Sequence, residues 1–96
     1  MANVRNGNTL YVDATGDLTT TATRVYYILV SATGNGAVIV LQDSGANVNK
    51  IRLGVANDKD THIFDFSARP LYFPGGVAVS TLTNCTATIV AEVQGG

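Results

Sequence analysis

The stretch "RVYYILVSATGNGAVIVLQDSG", residues 24–45, decides the fold. Two apolar runs, 25–30 and 37–41, flank the turn-forming pair Asn35-Gly36. Both are rich in β-branched and aromatic side chains, which suit a pleated strand better than a helix. Neither run alternates between apolar and polar residues. Strict alternation puts Tyr26, Ile28 and Val30 on one face of the first run and Val25, Tyr27 and Leu29 on the other. A two-layer sandwich covers only one of those faces. An apolar second face left open is the kind of patch that marks an interface, so a partner chain is expected to cover it; loops such as 13–22 are the other available cover.

Working outward, short segments rich in Val, Ile, Tyr, Phe and Thr recur at intervals of roughly 8–12 residues, separated by turn signals. Strands are expected at 9–13, 23–33, 36–43, 49–56, 61–66, 76–82 and 86–93, with a short extended piece at 71–73. No segment carries apolar residues at helical spacing for three turns, so essentially no helix is expected. Later strands do alternate. Ile51, Leu53 and Val55 oppose Lys50, Arg52 and Gly54; Phe64 and Phe66 oppose Asp65; Ile89, Ala91 and Val93 oppose Thr88 and Glu92, with Val90 as the exception. These are half-buried strands of an antiparallel sheet. Asn35-Gly36 suits a type I′ hairpin. "DSGAN" (43–47), "NDKD" (57–60) and "FPGGV" (73–77) supply Asx bonding, a φ-locking proline and permissive glycines. Each turn is expected to join adjacent antiparallel strands. The fold class that follows is all-β, an antiparallel β-sandwich of about seven or eight strands, jelly-roll-like or immunoglobulin-like.

The chain has 96 residues, enough for one domain. A domain this small buries only roughly 60–65% of its unfolded surface, and partner chains often make up the deficit. Charged residues are 14% of the chain and the net charge is −1. The basic residues Arg5, Arg24, Lys50, Arg52, Lys59 and Arg69 are scattered, without the stripe that neutralises successive phosphates, which argues against nucleic acid. The apolar runs are far too short to span a bilayer, and the polar opening "MANVRNGN" shows no signal-peptide pattern. The single cysteine, Cys85, leaves no internal disulfide, consistent with folding in a cytoplasm. Residues 1–23, rich in Asn, Thr and Gly, are read as an N-terminal arm with the first strand, and 24–96 as the sandwich body of one domain.

The residues able to carry chemistry are few. His62 is the only histidine, and Asp58, Asp60 and Asp65 neighbour it in sequence alone; a hydrogen-bonded histidine at a strand start is the better reading. Cys85 reads as small apolar filler. Asn84-Cys85-Thr86 matches a glycosylation sequon without a secretory signal beside it. Asn57, Asp58 and Asp60 offer oxygens, yet the Asp-x-Asp-x-Asp-Gly loop of a calcium site with its distal Glu is missing, and the Cys/His content is too low for zinc. Gly75-Gly76 and Gly95-Gly96 are not phosphate loops. No catalytic residue, cofactor or metal is expected.

The order of pieces resembles that of small structural proteins of tailed bacteriophages. In that group an "ilVs-t" strand precedes a "vvL-D" strand, an "F-F" strand, a "P-l-F-nGl-V" hairpin and a last "A-v-V" strand. The matching pieces here are 28–32, 38–43, 64–66, 70–79 and 87–93, spread over residues 24–94. The resemblance implies a non-enzymatic virion protein assembled in the host cytoplasm. A capsid decoration or cement subunit comes first, with a head fibre or tail-associated subunit, or a carbohydrate- or cell-surface-binding module, as alternatives. It also implies a homo-oligomer, with a trimer favoured, and contacts to other virion proteins such as the major capsid protein. A small hydrolase built on His62 is the rival from another class. The interface candidates are Tyr27 and Leu29 on the second face of the first run, Tyr11 and Val12 on the first strand, and Leu71, Tyr72 and Phe73 before Pro74.

Overall fold

A computed structural model describes residues 4–45 and 48–94. Among these residues ten strands form: β1 (Val4–Asn6), β2 (Thr9–Val12), β3 (Gly16–Asp17), β4 (Thr23–Ala32), β5 (Ala37–Asp43), β6 (Val48–Val55), β7 (Thr61–Asp65), β8 (Leu71–Phe73), β9 (Val77–Thr83) and β10 (Cys85–Val93). Every pairing is antiparallel. The first sheet has the order β1-β2-β10-β4-β7, with β8 also paired to β4, and the second has the order β3-β9-β5-β6. The expected strands are present within a residue or two at their ends. The short β1 and β3 are additional.

The two sheets pack face to face over one core. Ile28, Ile89, Leu10 and Phe73 from the first sheet meet Ile39, Leu41 and Val79 from the second, all fully or almost fully enclosed. Each such aliphatic side chain contributes about 1.5–3 kcal/mol relative to exposure.

From β2 onward, every connection except β5–β6 and β7–β8 crosses between the sheets. With β7 and β8 lying end to end along β4, β2-β10-β4-β7 faces β3-β9-β5-β6, the double Greek-key order of a jelly roll. It is not the immunoglobulin order, whose chain makes several local hairpins. Most of the expected hairpins are therefore corrected. Asn35-Gly36, Asn57–Asp60 and Phe73–Val77 each arch from one sheet to the other, and only the β5–β6 connection is a hairpin among them, its residues 46 and 47 lying outside the described set. At the first arch only Gly36 (φ 69°) takes positive φ, where a type I′ turn needs two such residues.

The opening puzzle resolves at Tyr26. Along the β4–β10 ladder, Val90 faces Tyr27 while Ala91 faces Val25, leaving Tyr26 as the extra residue of a β-bulge. The bulge resets the alternation, so Thr23, Val25, Ile28, Val30 and Ala32 all point into the core. The expected division of 25–30, with Val25 opposite Ile28, is thereby corrected. β5 sits inside its sheet, and its outward Val40 is 8% exposed, flanked by Arg52 and Thr81 on the neighbouring strands. Neighbouring side chains of its own sheet bury Val40, while Val38 and Gln42 on the same strand are half-buried.

The described part of the N-terminal segment contributes strands to both sheets. β1 pairs β2, β2 pairs β10 and β3 pairs β9, and Leu10 and Val12 are core residues. Buried polar groups fasten the return from β3 to β4. Thr23 Oγ1 donates to the Thr21 carbonyl (2.9 Å), so the 2.8 Å contact between Thr19 Oγ1 and Thr23 Oγ1 uses the Thr19 proton. Thr19 Oγ1 in turn accepts the Val77 N–H at 2.9 Å.

Candidate surface site on the first sheet

Residues directly opposite in an antiparallel pair share a face. Following the register outward from the core gives three rows on the solvent side of the first sheet. The first is Tyr11–Thr88–Leu29–Ile63, the second Thr9–Val90–Tyr27–Asp65, and the third Glu92–Arg24–Tyr72. With neighbouring strands about 4.8 Å apart, a four-strand row spans about 15 Å. The exposed large hydrophobic residues of the described chain are Tyr11 (38%), Tyr27 (40%), Ile63 (67%), Tyr72 (48%) and Val90 (37%), and all lie in these rows. The other sheet's solvent side is different. There Arg52–Val40–Thr81 and Gly54–Val38–Thr83 run across the strands, and none of those exposed hydrophobics is found.

Local chemistry shapes the strip. Asp65, the carboxylate beside Tyr27, is held below the usual carboxylate range by the Ser67 hydroxyl and then by the Ser67 N–H, which donates to Asp65 Oδ1 at 2.8 Å. Its charge is thus fixed at the edge of an otherwise apolar surface. At the third row an open hollow of about 420 Å³ is lined by Ala22, Arg24, Tyr72, Glu92, Val93 and Gln94. Two of its lining groups engage Arg24. Its guanidinium carbon lies 5.0 Å from the Tyr72 ring centroid, and its Nη1 is 3.7 Å from Glu92 Oε1. A sugar ring stacking on Tyr72 would compete with Arg24 for that ring face. The remainder of the strip presents the exposed side chains of Tyr11, Tyr27, Ile63 and Val90.

The interface candidates divide by this geometry. Tyr11 and Tyr27 are exposed on the strip, Leu29 is half-buried between them, and Tyr72 is exposed at the hollow. Val12 and Phe73 are each 0% exposed in the chain's own core, and Leu71 packs against that core. Val12 and Phe73 thus have no side-chain surface outside the chain's own core, whereas Leu71 stays half-buried. Ile63 and Val90 belong to the strip but were not among the candidates. Their signal was present, because Ile63 falls opposite Phe64 in alternation and Val90 interrupts the polar face of its strand.

The residues weighed for chemistry are placed as follows. His62 is exposed, with its ring 6.2 Å from that of Phe64, and Asp65 points from the opposite face of β7. Cys85 is buried opposite Ala32, with Sγ 3.5 Å from the Val38 carbonyl as donor, and β4 stands between it and His62. The 57–60 turn bonds within itself and to the 33–36 arch: Asn57 Nδ2 donates to Asp60 Oδ2 (3.4 Å), the Asp58 N–H donates to Asn35 Oδ1 (2.9 Å), and Lys59 takes φ 67°. Among the described residues no His, Cys, Asp and Glu gather into a group able to hold a metal. Asn84 lies in the β9–β10 turn at φ 52° and donates from Nδ2 to the Asn35 carbonyl at 3.1 Å. Gly95 and Gly96 lie outside the described residues.

Comparison of the chain with protein-family models, with curated proteins and with solved structures finds no match.

Proposed function

We propose that this chain is a non-enzymatic structural subunit that docks on another protein of a larger assembly through the solvent side of its first sheet. The observation that carries the reading is the segregation of the exposed large hydrophobic residues, among those described, to that one face, with none of them on the other sheet. Aromatic anchors within a flat, weakly charged surface are what protein interfaces select. The sequence resemblance supplies the setting: a tailed-phage virion, with the chain as a capsid decoration or cement subunit and the major capsid protein as partner. A tail or fibre position uses the same surface.

Empty capsid shells of the encoding phage are the probe. The chain is expected to co-pellet with them, and joint Tyr27→Glu and Val90→Glu substitution to weaken binding about hundredfold, the scale of lost interface anchors. Thr81→Glu on the other face is expected to leave it unchanged. Equal effects from the two faces, or absence of pelleting together with saturable binding on a glycan array, would overturn the reading in favour of the carbohydrate module.

A further inference from the structure

One edge of the first sheet meets the docking strip at Ile63. β7 is the last strand in its sheet, and its pairing with β4 fixes which backbone groups are used. The Ala32 N–H donates to the Asp60 carbonyl at 2.9 Å, and the Phe66 N–H donates to the Tyr26 carbonyl at 2.7 Å. In an antiparallel ladder each residue directs its N–H and C=O to the same side, and successive residues alternate. His62 and Phe64, opposite Val30 and Ile28, therefore also direct theirs to β4. Thr61, Ile63 and Asp65 direct theirs away from it. All three residues are exposed, Ile63 at 67%.

Open edges invite pairing with another chain, and folded proteins usually blunt them with cations, proline, bulges or short length. The other edges of this sandwich follow that rule. β6 carries exposed Lys50 and Arg52, β1 carries exposed Arg5, and β3 and β8 are only 2 and 3 residues long. β7 is less protected: "THIFD" contains no Lys, Arg or Pro, its one charge is Asp65 at the end, and its register is unbroken from Thr61 to Asp65.

We propose that β7 pairs antiparallel with β7 of a second copy of this chain, about a two-fold axis through Ile63, joining the two first sheets edge to edge. The strand is its own complement in that register. Ile63 faces the copy's Ile63, Thr61 faces the copy's Asp65, and His62 faces the copy's Phe64. Each outward N–H then meets an outward C=O, and no charge meets a like charge across the axis. A second copy is the occupant because the outward groups are centred on Ile63 and need no foreign sequence to match them. The paired isoleucines continue the Tyr11–Thr88–Leu29–Ile63 row into the neighbouring chain, so the apolar strip becomes continuous over both copies.

The test is sedimentation and native mass spectrometry of the whole chain from about micromolar to about millimolar concentration, with backbone amide exchange read at both ends. A monomer–dimer equilibrium is expected. The Thr61, Ile63 and Asp65 amides should exchange on the order of tenfold slower in the dimer, while those of His62 and Phe64 stay protected throughout. Ile63→Pro removes an N–H that points away from β4, so the monomer should fold and the dimer should be lost. Should that variant not fold, Ile63→Lys sets like charges opposite each other with the backbone intact and should abolish pairing equally. Wild-type chain that stays monomeric at millimolar concentration overturns the proposal, as does a dimer that survives both substitutions or keeps fast exchange at Thr61, Ile63 and Asp65. The Tyr27→Glu, Val90→Glu pair should leave the dimer intact, so failure of the docking reading and failure of edge pairing give different results.

Discussion

Asp43 and Gly75 tie two distant loops together at one end of the sandwich. Asp43 is 3% exposed at the end of β5, and its Oδ2 accepts the Gly75 N–H at 3.1 Å while Oδ1 accepts the Gly45 N–H at 2.9 Å. The loops approach so closely that a Cβ on Gly75 would lie 2.6 Å from the Gly45 nitrogen. One carboxylate thereby positions both the β5–β6 hairpin and the arch from β8 to β9.

Asp43→Asn should destabilise the fold, because one acceptor oxygen becomes an N–H donor aimed at another N–H. Leaving such a buried donor unmatched costs about 1–3 kcal/mol, and each kcal/mol lowers Tm by about 4–8 °C in a domain of this size. Calorimetry of the variant checks this. A Tm within a degree of the wild-type value would mean that the carboxylate does not hold the loops.

Thr19 and Gly76 form a second fastening. The Thr19 hydroxyl is the acceptor for the N–H of Val77, which is 0% exposed. Thr19→Val keeps the shape and removes that acceptor, with an expected loss of about 1–3 kcal/mol in urea unfolding. Gly76 has φ 100°, and a Cβ there would meet the Thr19 carbonyl oxygen and come within 2.7 Å of its carbon. Gly76→Ala combines a left-handed backbone with a collision against main chain. It should cost more than about 3 kcal/mol, which soluble yield and the unfolding midpoint would report.

Cys85 gives the fold an alkaline limit. Burial pushes its thiol up. Above the ordinary thiol value, about 8.5, the unfolded chain releases this proton before the folded chain does. Fewer protons are then bound by the unfolded state, so stability falls as pH rises through that range, and it is undiminished below it. Unfolding free energy measured from pH 7 to pH 10 should decline in the wild type, and Cys85→Ala should lack that component. A thiol reagent should label the native chain much more slowly than the unfolded chain.

How legible the architecture is from the amino acids depends on which physical signal each part leaves. β6 and β10 declare their buried faces because polar and apolar side chains alternate along them, and Gly, Asn, Asp and Pro mark the ends. Turn residues do not declare which sheet the chain enters next. Asn35-Gly36 relaxes the backbone for an arch between layers as readily as for a hairpin, so the crossovers that define the jelly roll were not readable locally. β3, two residues of Gly and Asp, has no apolar period to detect. Half of the strip was visible as Tyr11, Tyr27, Leu29 and Tyr72. Val12 and Phe73 look the same in sequence, and their burial depends on pairing with strands far along the chain.

The bulge at Tyr26 is where an extra residue shifts the alternation within an apolar run, and deletion tests it. Removing Tyr26 leaves Val25, Tyr27 and Ile28 in succession, which is regular alternation with Val25 and Ile28 still directed inward. Removing Leu29 instead brings Ile28 and Val30 together and turns one half of β4 to the wrong face. Since β4 pairs with β10, β7 and β8, that second error spreads across the first sheet. The Tyr26 deletion should retain cooperative unfolding and dispersed amide resonances, at the cost of the Tyr26 carbonyl's bond to the Phe66 N–H. The Leu29 deletion should lose both. Equal tolerance of the two deletions would mean that β4 can slip in register, and that the bulge does not set which of its side chains face the core.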